Sequence, residues 1–150
     1  MDALLTQPAF QAYAISVAIL AFALYSLGFL TAKTRADRKV VVNVEDMGIN
    51  GGAALADTDH PDVQRIKRAH TNLLESAVPF FCVGFLYTLT TPDIRVARAL
   101  FAVFVAVRLF HAVFYLTAKQ PFRTASFVVG TLVSLSMLVQ VVWTVVPLMR

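Results

Sequence analysis

Charged side chains are absent from Ala3 to Ala32, from Ser76 to Pro92 and from Thr124 to Met149. A fourth run, Ala99–Ala118, is apolar apart from Arg108, His111 and Thr117. About 20 apolar residues cross the ~30 Å hydrocarbon core of a bilayer as a helix. The pattern therefore predicts four transmembrane helices, at roughly 9–32, 62–90, 95–118 and 121–147. The turns Thr90–Arg95 and Thr117–Pro121 are short, so neighbouring helices are expected to pair as hairpins. The fold class is all-α, an up-down four-helix membrane bundle forming one domain over residues 1–150. The first run follows Asp2 with no basic segment ahead of it. It is also longer than a signal-peptide core, so it reads as a retained helix.

Residues 33–60 form the one long polar stretch, basic at first (Lys33, Arg35, Arg38, Lys39) and then acidic and glycine-rich. The second helix, Asp62–Leu89, would be about 42 Å long at 1.5 Å per residue. Its apolar half begins only near Ser76, so its first turns project from the membrane or line a polar interior. Asp59 and Pro61 mark its start, and Pro79 is expected to kink it. Gln120-Pro121 reads as the start of the fourth helix.

Composition agrees. Of 150 residues 58% are hydrophobic and 15% charged, against about 45–50% and 25% in a soluble domain. This argues against a soluble globular protein and excludes a disordered chain. The net charge of +4 does not point to nucleic acid, because the basic residues border apolar runs as they do at a membrane surface. Nine of the 13 Lys and Arg fall on one side: Lys33, Arg35, Arg38, Lys39, Arg65, Lys67, Arg68, Lys119 and Arg123. Arg95, Arg98 and Arg150 fall on the other. The positive-inside rule assigns the nine to the cytoplasm and both termini to the far side. An Ala/Val/Arg-rich membrane protein of this kind suits a bacterial inner membrane or an endoplasmic reticulum. The single cysteine, Cys82, lies in an apolar run and reads as a buried, inert thiol. No disulfide within the chain and no metal motif is expected.

Ionisable groups inside a membrane are costly and mark function. Arg68, Asn72, Glu75 and Pro79 are spaced to share one stripe of the second helix. Arg108, His111 and Tyr115 share one stripe of the third. Arg123 and Thr124 sit in the first turn of the fourth, where backbone amides favour an anion. Together these stripes predict a polar pocket between helices, suited to a ligand with carboxylates and an ammonium. Each residue also has a plainer reading: Arg68 and Arg123 as interfacial anchors, Glu75 and Arg108 as a neutralising pair, His111 as packing, Tyr115 as an interface aromatic.

The segment His60-Pro-Asp-Val-Gln-Arg-Ile-Lys-Arg-Ala-His-Thr-Asn-Leu-Leu-Glu75, continuing to Pro79-Phe80, resembles the signature of the membrane-associated proteins in eicosanoid and glutathione metabolism, the MAPEG family. Asn43-Val-Glu-Asp46, Arg108-x-x-His111-x-x-x-Tyr115 and Pro121-x-Arg123 match in order. The likeness is nearest to the branch of microsomal prostaglandin E synthases and glutathione transferases. It implies a homotrimer that binds glutathione between subunits near the cytoplasmic side and receives a lipophilic substrate from the bilayer. Carried over residue by residue, it implies that Arg35, Arg68, Asn72, Glu75, His111, Tyr115 and Arg123 contact glutathione. Arg123, with Thr124, would stabilise the thiolate, and Asp46 belongs to the catalytic set. The chain departs from the family pattern at Thr124 for serine, Phe127 for tyrosine and Thr71 for arginine. The expected activity is attack of a glutathione thiolate on a lipophilic electrophile, peroxide or endoperoxide. A non-catalytic lipid-binding member and a small transporter are the alternatives.

Overall fold

The computed structural model describes residues 2–49 and 51–149; Arg150 lies outside them. In chain order it has a short helix α1 (Asp2–Leu5), α2 (Pro8–Arg38), strand β1 (Val40–Val41), a single turn α3 (Asp46–Ile49), strand β2 (Ala54–Leu55), α4 (Pro61–Leu89), α5 (Ile94–Leu116) and α6 (Gln120–Val145), closed by a 3-10 turn at Val146–Met149. Among the described residues, four helices are long and apolar enough to cross a membrane. α2 packs on α4 and α5, and α6 packs on α5 and α4.

The helix boundaries correct the sequence reading at one place. The first helix continues to Arg38 rather than ending at 32. Lys33 pairs with Asp37 one turn on, at 3.1 Å, and Arg35 and Arg38 lie in the last turn, where cations suit the helix dipole. Lys39 then ends α2 in the left-handed region, φ 50°, with its N–H directed at the carbonyls of Arg35 and Ala36. At 31 and 29 residues, α2 and α4 are each about 45 Å long, some 15 Å more than a bilayer core. The excess is the polar tail of α2 and the polar head of α4, and the two are joined.

Asp59 makes that joint. It is buried, 7% exposed. Its Oδ1 accepts from Arg35 Nε at 2.9 Å, and its Oδ2 accepts from Arg35 Nη2 at 3.1 Å and Lys67 Nζ at 2.9 Å. One residue on, His60 caps α4, its Nδ1 accepting from the Asp62 N–H at 3.2 Å, with Pro61 in the first turn. Hydrogen bonding to the Arg35 guanidinium, aided by Lys67, holds the Asp59 carboxyl below the usual carboxylate range against the opposing effect of burial. A group whose pKa is lowered by folding stabilises the fold at pH values above its unfolded pKa of about 3.9, and that contribution fades as pH falls below it. Thermal unfolding in detergent should therefore show a drop in midpoint below about pH 4. Asp59→Asn should remove that drop while lowering the midpoint at neutral pH. An unaltered acid limb in the variant would contradict this.

β1 and β2 pair in parallel, Val40 with Ala54 and Val41 with Leu55. They pin the loop to the same polar end as Asp59, with Val41 fully buried.

The core is aromatic. Phe80 stacks on Phe104, centroids 4.1 Å apart and planes 6° apart, and meets Phe101 edge-on. Gly84 lets α2 approach: a Cβ there would lie 3.0 Å from the Tyr13 ring, whose hydroxyl donates to the Phe81 carbonyl at 2.8 Å. α4 passes through Pro79 as one helix. The outward faces carry Phe22, Phe29 and Trp143, each more than 70% exposed, a surface that suits lipid rather than water. Cys82 is on that surface, contrary to the expected burial. In a membrane helix an apolar run serves lipid-facing and core positions alike, so apolarity did not determine which way the thiol points.

Candidate functional site

α4 sets the floor of the site. Its heptad-like spacing of Arg68, Asn72 and Glu75 turns all three to one cleft of about 450 Å³, which Tyr115 of α5 closes from the other side. Gln64, Lys67 and Thr71 complete the rim. Arg68 is exposed, and its Nη1 lies 3.4 Å from Gln64 Oε1. Glu75 is exposed too and forms no ion pair among the described residues. The neutralising Glu75–Arg108 pair weighed from the sequence is therefore not formed.

A second cleft, of about 360 Å³, adjoins the first through Asn72 and Glu75 and reaches down between α4 and α6 to Pro79, Phe127 and Leu135. Arg108 lines it. Among the described residues, four buried side-chain polar atoms have no hydrogen-bond partner: Asn72 Oδ1, Arg108 Nε and Nη1, and His111 Nε2. Leaving such groups unmet costs about 1–3 kcal/mol each. Of these residues, Asn72 lines both clefts and Arg108 the second.

α5 and the start of α6 are tied together at the same end. Phe114 accepts the backbone N–H of Lys119, and Pro121 lies in the first turn of α6. His111, 5% exposed, contacts the Arg123 carbonyl through Nδ1 at 2.9 Å. A carbonyl only accepts, so Nδ1 carries the proton. The half-buried Arg123 lays its guanidinium over the Tyr115 ring, 4.6 Å from the centroid, a cation–π contact. One charged group is thus held at the helix start, next to the aromatic wall of the first cleft.

The two stripes and the helix start read from the sequence are brought together by these contacts. Arg68, Asn72, Glu75 and Tyr115 share a cleft; His111 and Arg123 are joined to it through Tyr115. Thr124 is exposed beside Arg123 and lines neither cleft. Arg35 is committed to Asp59. Asp46, whose Oδ2 accepts from Asn43 Nδ2 at 3.2 Å, lies near enough for its charge to act on Arg35. Both belong to the same polar end without lining a cleft. Sequence reasoning read Asp59 only as a helix-start signal and missed its partner Arg35, 24 residues away; it placed Arg108 on the polar stripe of the third helix but not among the glutathione contacts. The rim residues Gln64 and Thr71 do carry a signal: they lie one helical turn from Arg68 and Lys67 on the same side of α4.

Residues 13–143 match the model of the MAPEG family. The chain is 33% identical over 140 residues to the prostaglandin E synthase of Homo sapiens, covering 93% of this chain and 91% of that protein. It is 35% identical over 133 residues to the prostaglandin E synthase of Bos taurus, covering 88% and 86%. To the microsomal glutathione S-transferase 1 of Homo sapiens it is 40% identical over 134 residues, covering 85% of each.

Proposed function

The chain belongs to the MAPEG family, and on that premise we propose that this integral, multi-pass membrane protein is a glutathione-dependent enzyme acting on a lipophilic substrate. The observation that carries the proposal is the double cleft, where Arg68, Asn72, Glu75 and Tyr115 converge with unmet buried polar atoms. That donor set fits glutathione, which offers two carboxylates, an ammonium and a thiol. Arg68 presents a forked donor to a carboxylate, and Glu75 presents a free carboxylate to the ammonium. Asn72 and Tyr115 offer hydrogen bonds to the peptide between them.

When bound, glutathione supplies the thiol nucleophile. The chain's part is to lower that thiol's pKa and hold it. Arg123 places a guanidinium and the first amides of α6 in one field, and Thr124 adds a hydroxyl donor beside it. His111 holds the Arg123 carbonyl, and Tyr115 holds its guanidinium, so the cation stays in one position. With a transferable electrophile the thiolate is consumed as a conjugate. With a hydroperoxide, two glutathiones give a disulfide, an alcohol and water. With an endoperoxide, glutathione is regenerated.

The same proposal includes an up-down homotrimer with the clefts at subunit boundaries, where Arg35 and Asp46 of the polar end act on an adjacent site. It also puts that end in the cytoplasm, since the nine basic residues crowd there.

Calorimetry with glutathione tests the binding. Glu75→Gln keeps volume and loses charge, and should weaken binding about ten-fold or more, since hydrogen bonds to charged groups contribute about 1.5–3 kcal/mol. Unchanged affinity in the intact oligomer would remove Glu75 from the site. Binding without turnover of any electrophile or peroxide would select the non-catalytic lipid-binding alternative.

A further inference from the structure

Arg108 has the least satisfied charge in the described molecule. It is 3% exposed and stands eight residues before the end of α5, about 12 Å inside it. Two of its nitrogens, Nε and Nη1, have no partner, and the third lies 3.5 Å from Thr131 Oγ1, the outer limit of a hydrogen bond. No carboxylate among the described residues lies within ion-pair distance of it. A guanidinium keeps its charge in any protein environment, and at this depth an unpaired cation is strongly unfavourable.

The side chain is nevertheless held firmly. Phe104 and Phe127 rings flank the guanidinium, each 5.3 Å from it. Gly130 makes the slot: a Cβ there would lie 2.8 Å from Nε. Arg108 lines the inner cleft, which also has polar groups at Asn72, Glu75, Ser76 and Ser134 and apolar walls at Pro79 and Leu135; Glu75, shared with the outer cleft, is the carboxylate assigned to the glutathione ammonium. A preformed, buried cation lining an amphipathic cavity is arranged for an anion with an apolar body or tether. A planar guanidinium selects a carboxylate by geometry.

We propose that Arg108 is the carboxylate-binding residue of the inner cleft, engaging an acid group that belongs either to the lipophilic substrate or to glutathione itself. The inference rests on the glutathione-dependent reading and extends it to a substrate class, acidic rather than neutral lipophiles, if the first source holds.

The test compares each acid with its ester in lipid nanodiscs. One arm measures peroxidase KM for linoleic acid hydroperoxide and its methyl ester. The other measures binding of glutathione and of its two monoethyl esters, one at the glycine and one at the γ-glutamyl carboxylate. Proteins are the parent, Arg108→Met and Gly130→Ala. In one arm the parent should favour the acid about ten-fold or more. Arg108→Met should bring that ratio close to one while still turning over the ester, and Gly130→Ala, which pushes on the guanidinium, should shift it the same way. The arm that responds names the source. If the acid-to-ester ratio survives Arg108→Met in both arms, or if the parent shows none, the proposal is overturned. Should Arg108→Met fail to fold, Gly130→Ala decides by the same ratio. If the parent turns over nothing with glutathione, the family-based reading fails. Calorimetry of linoleic acid against methyl linoleate, which needs no glutathione, then still decides for or against Arg108.

Discussion

Arg123→Ala is expected to remove most glutathione thiolate absorbance at neutral pH and to reduce turnover at pH 7 by about 10- to 100-fold. The reasoning runs from the helix start. An anion at a helix N-terminus gains about 0.3–2 kcal/mol from the exposed amides, and one pKa unit corresponds to about 1.4 kcal/mol. A guanidinium held in the same field adds to this, so together they lower a thiol by about one to three units. A thiol left near its ordinary pKa of about 8.5 is only a few per cent ionised at pH 7. The guanidinium is held over Tyr115, so truncating it removes the charge without removing a core side chain. Glutathione should still bind, more loosely, through Arg68 and Glu75. Thr124→Val removes one hydrogen bond, about 0.5–1.5 kcal/mol, and should have the smaller effect. Titrating thiolate absorbance against pH for both variants checks the order. If Arg123→Ala keeps the parent's thiol pKa, the activating group lies elsewhere, and Arg35 is the next cation to test.

Phe80→Ala should have the largest effect on stability. Phe80 is fully buried and stacks on Phe104, which in turn lies beneath the Arg108 guanidinium. In a water-soluble core such a truncation costs about 3–5 kcal/mol. Between membrane helices lipid is as apolar as the ring, so the transfer part of that cost is reduced and the lost packing remains. About 2–4 kcal/mol is expected, read as a lowered unfolding midpoint in detergent. Because Phe104 loses its support, the acid-to-ester preference ascribed to Arg108 should weaken as well. Phe80→Leu should recover much of the stability. A loss under about 1 kcal/mol for Phe80→Ala would show that the ring stack is not a principal element of the bundle.

The four helices were legible because length and apolarity set them directly: the last three begin and end within about two residues of the expected positions. The polar stripes were legible for a related reason. Helical spacing alone puts Arg68, Asn72 and Glu75 on one face, and Arg108, His111 and Tyr115 on another. What the spacing does not contain is how the two faces meet. The contact of His111 with the Arg123 carbonyl and the seat of Arg123 on Tyr115 depend on how α6 is set against α5. The extension of α2 to Arg38 is of the same kind, since its polar tail is held by a carboxylate on the far side of a loop. Arg35 and Asp59 carry no local mark of each other. Burial also escaped the sequence. In water, hydropathy separates the inside of a helix from the outside, but in a bilayer both sides are apolar. Leu20 is wholly buried while Phe22 two residues on is 74% exposed, and Cys82 faces outward with the lipid-facing residues. The sequence by itself determined which segments cross the membrane and which residues carry charge within it. The tertiary structure alone decided which of those charges find a partner, because ion pairing and cavity formation depend on contacts between helices far apart in the chain.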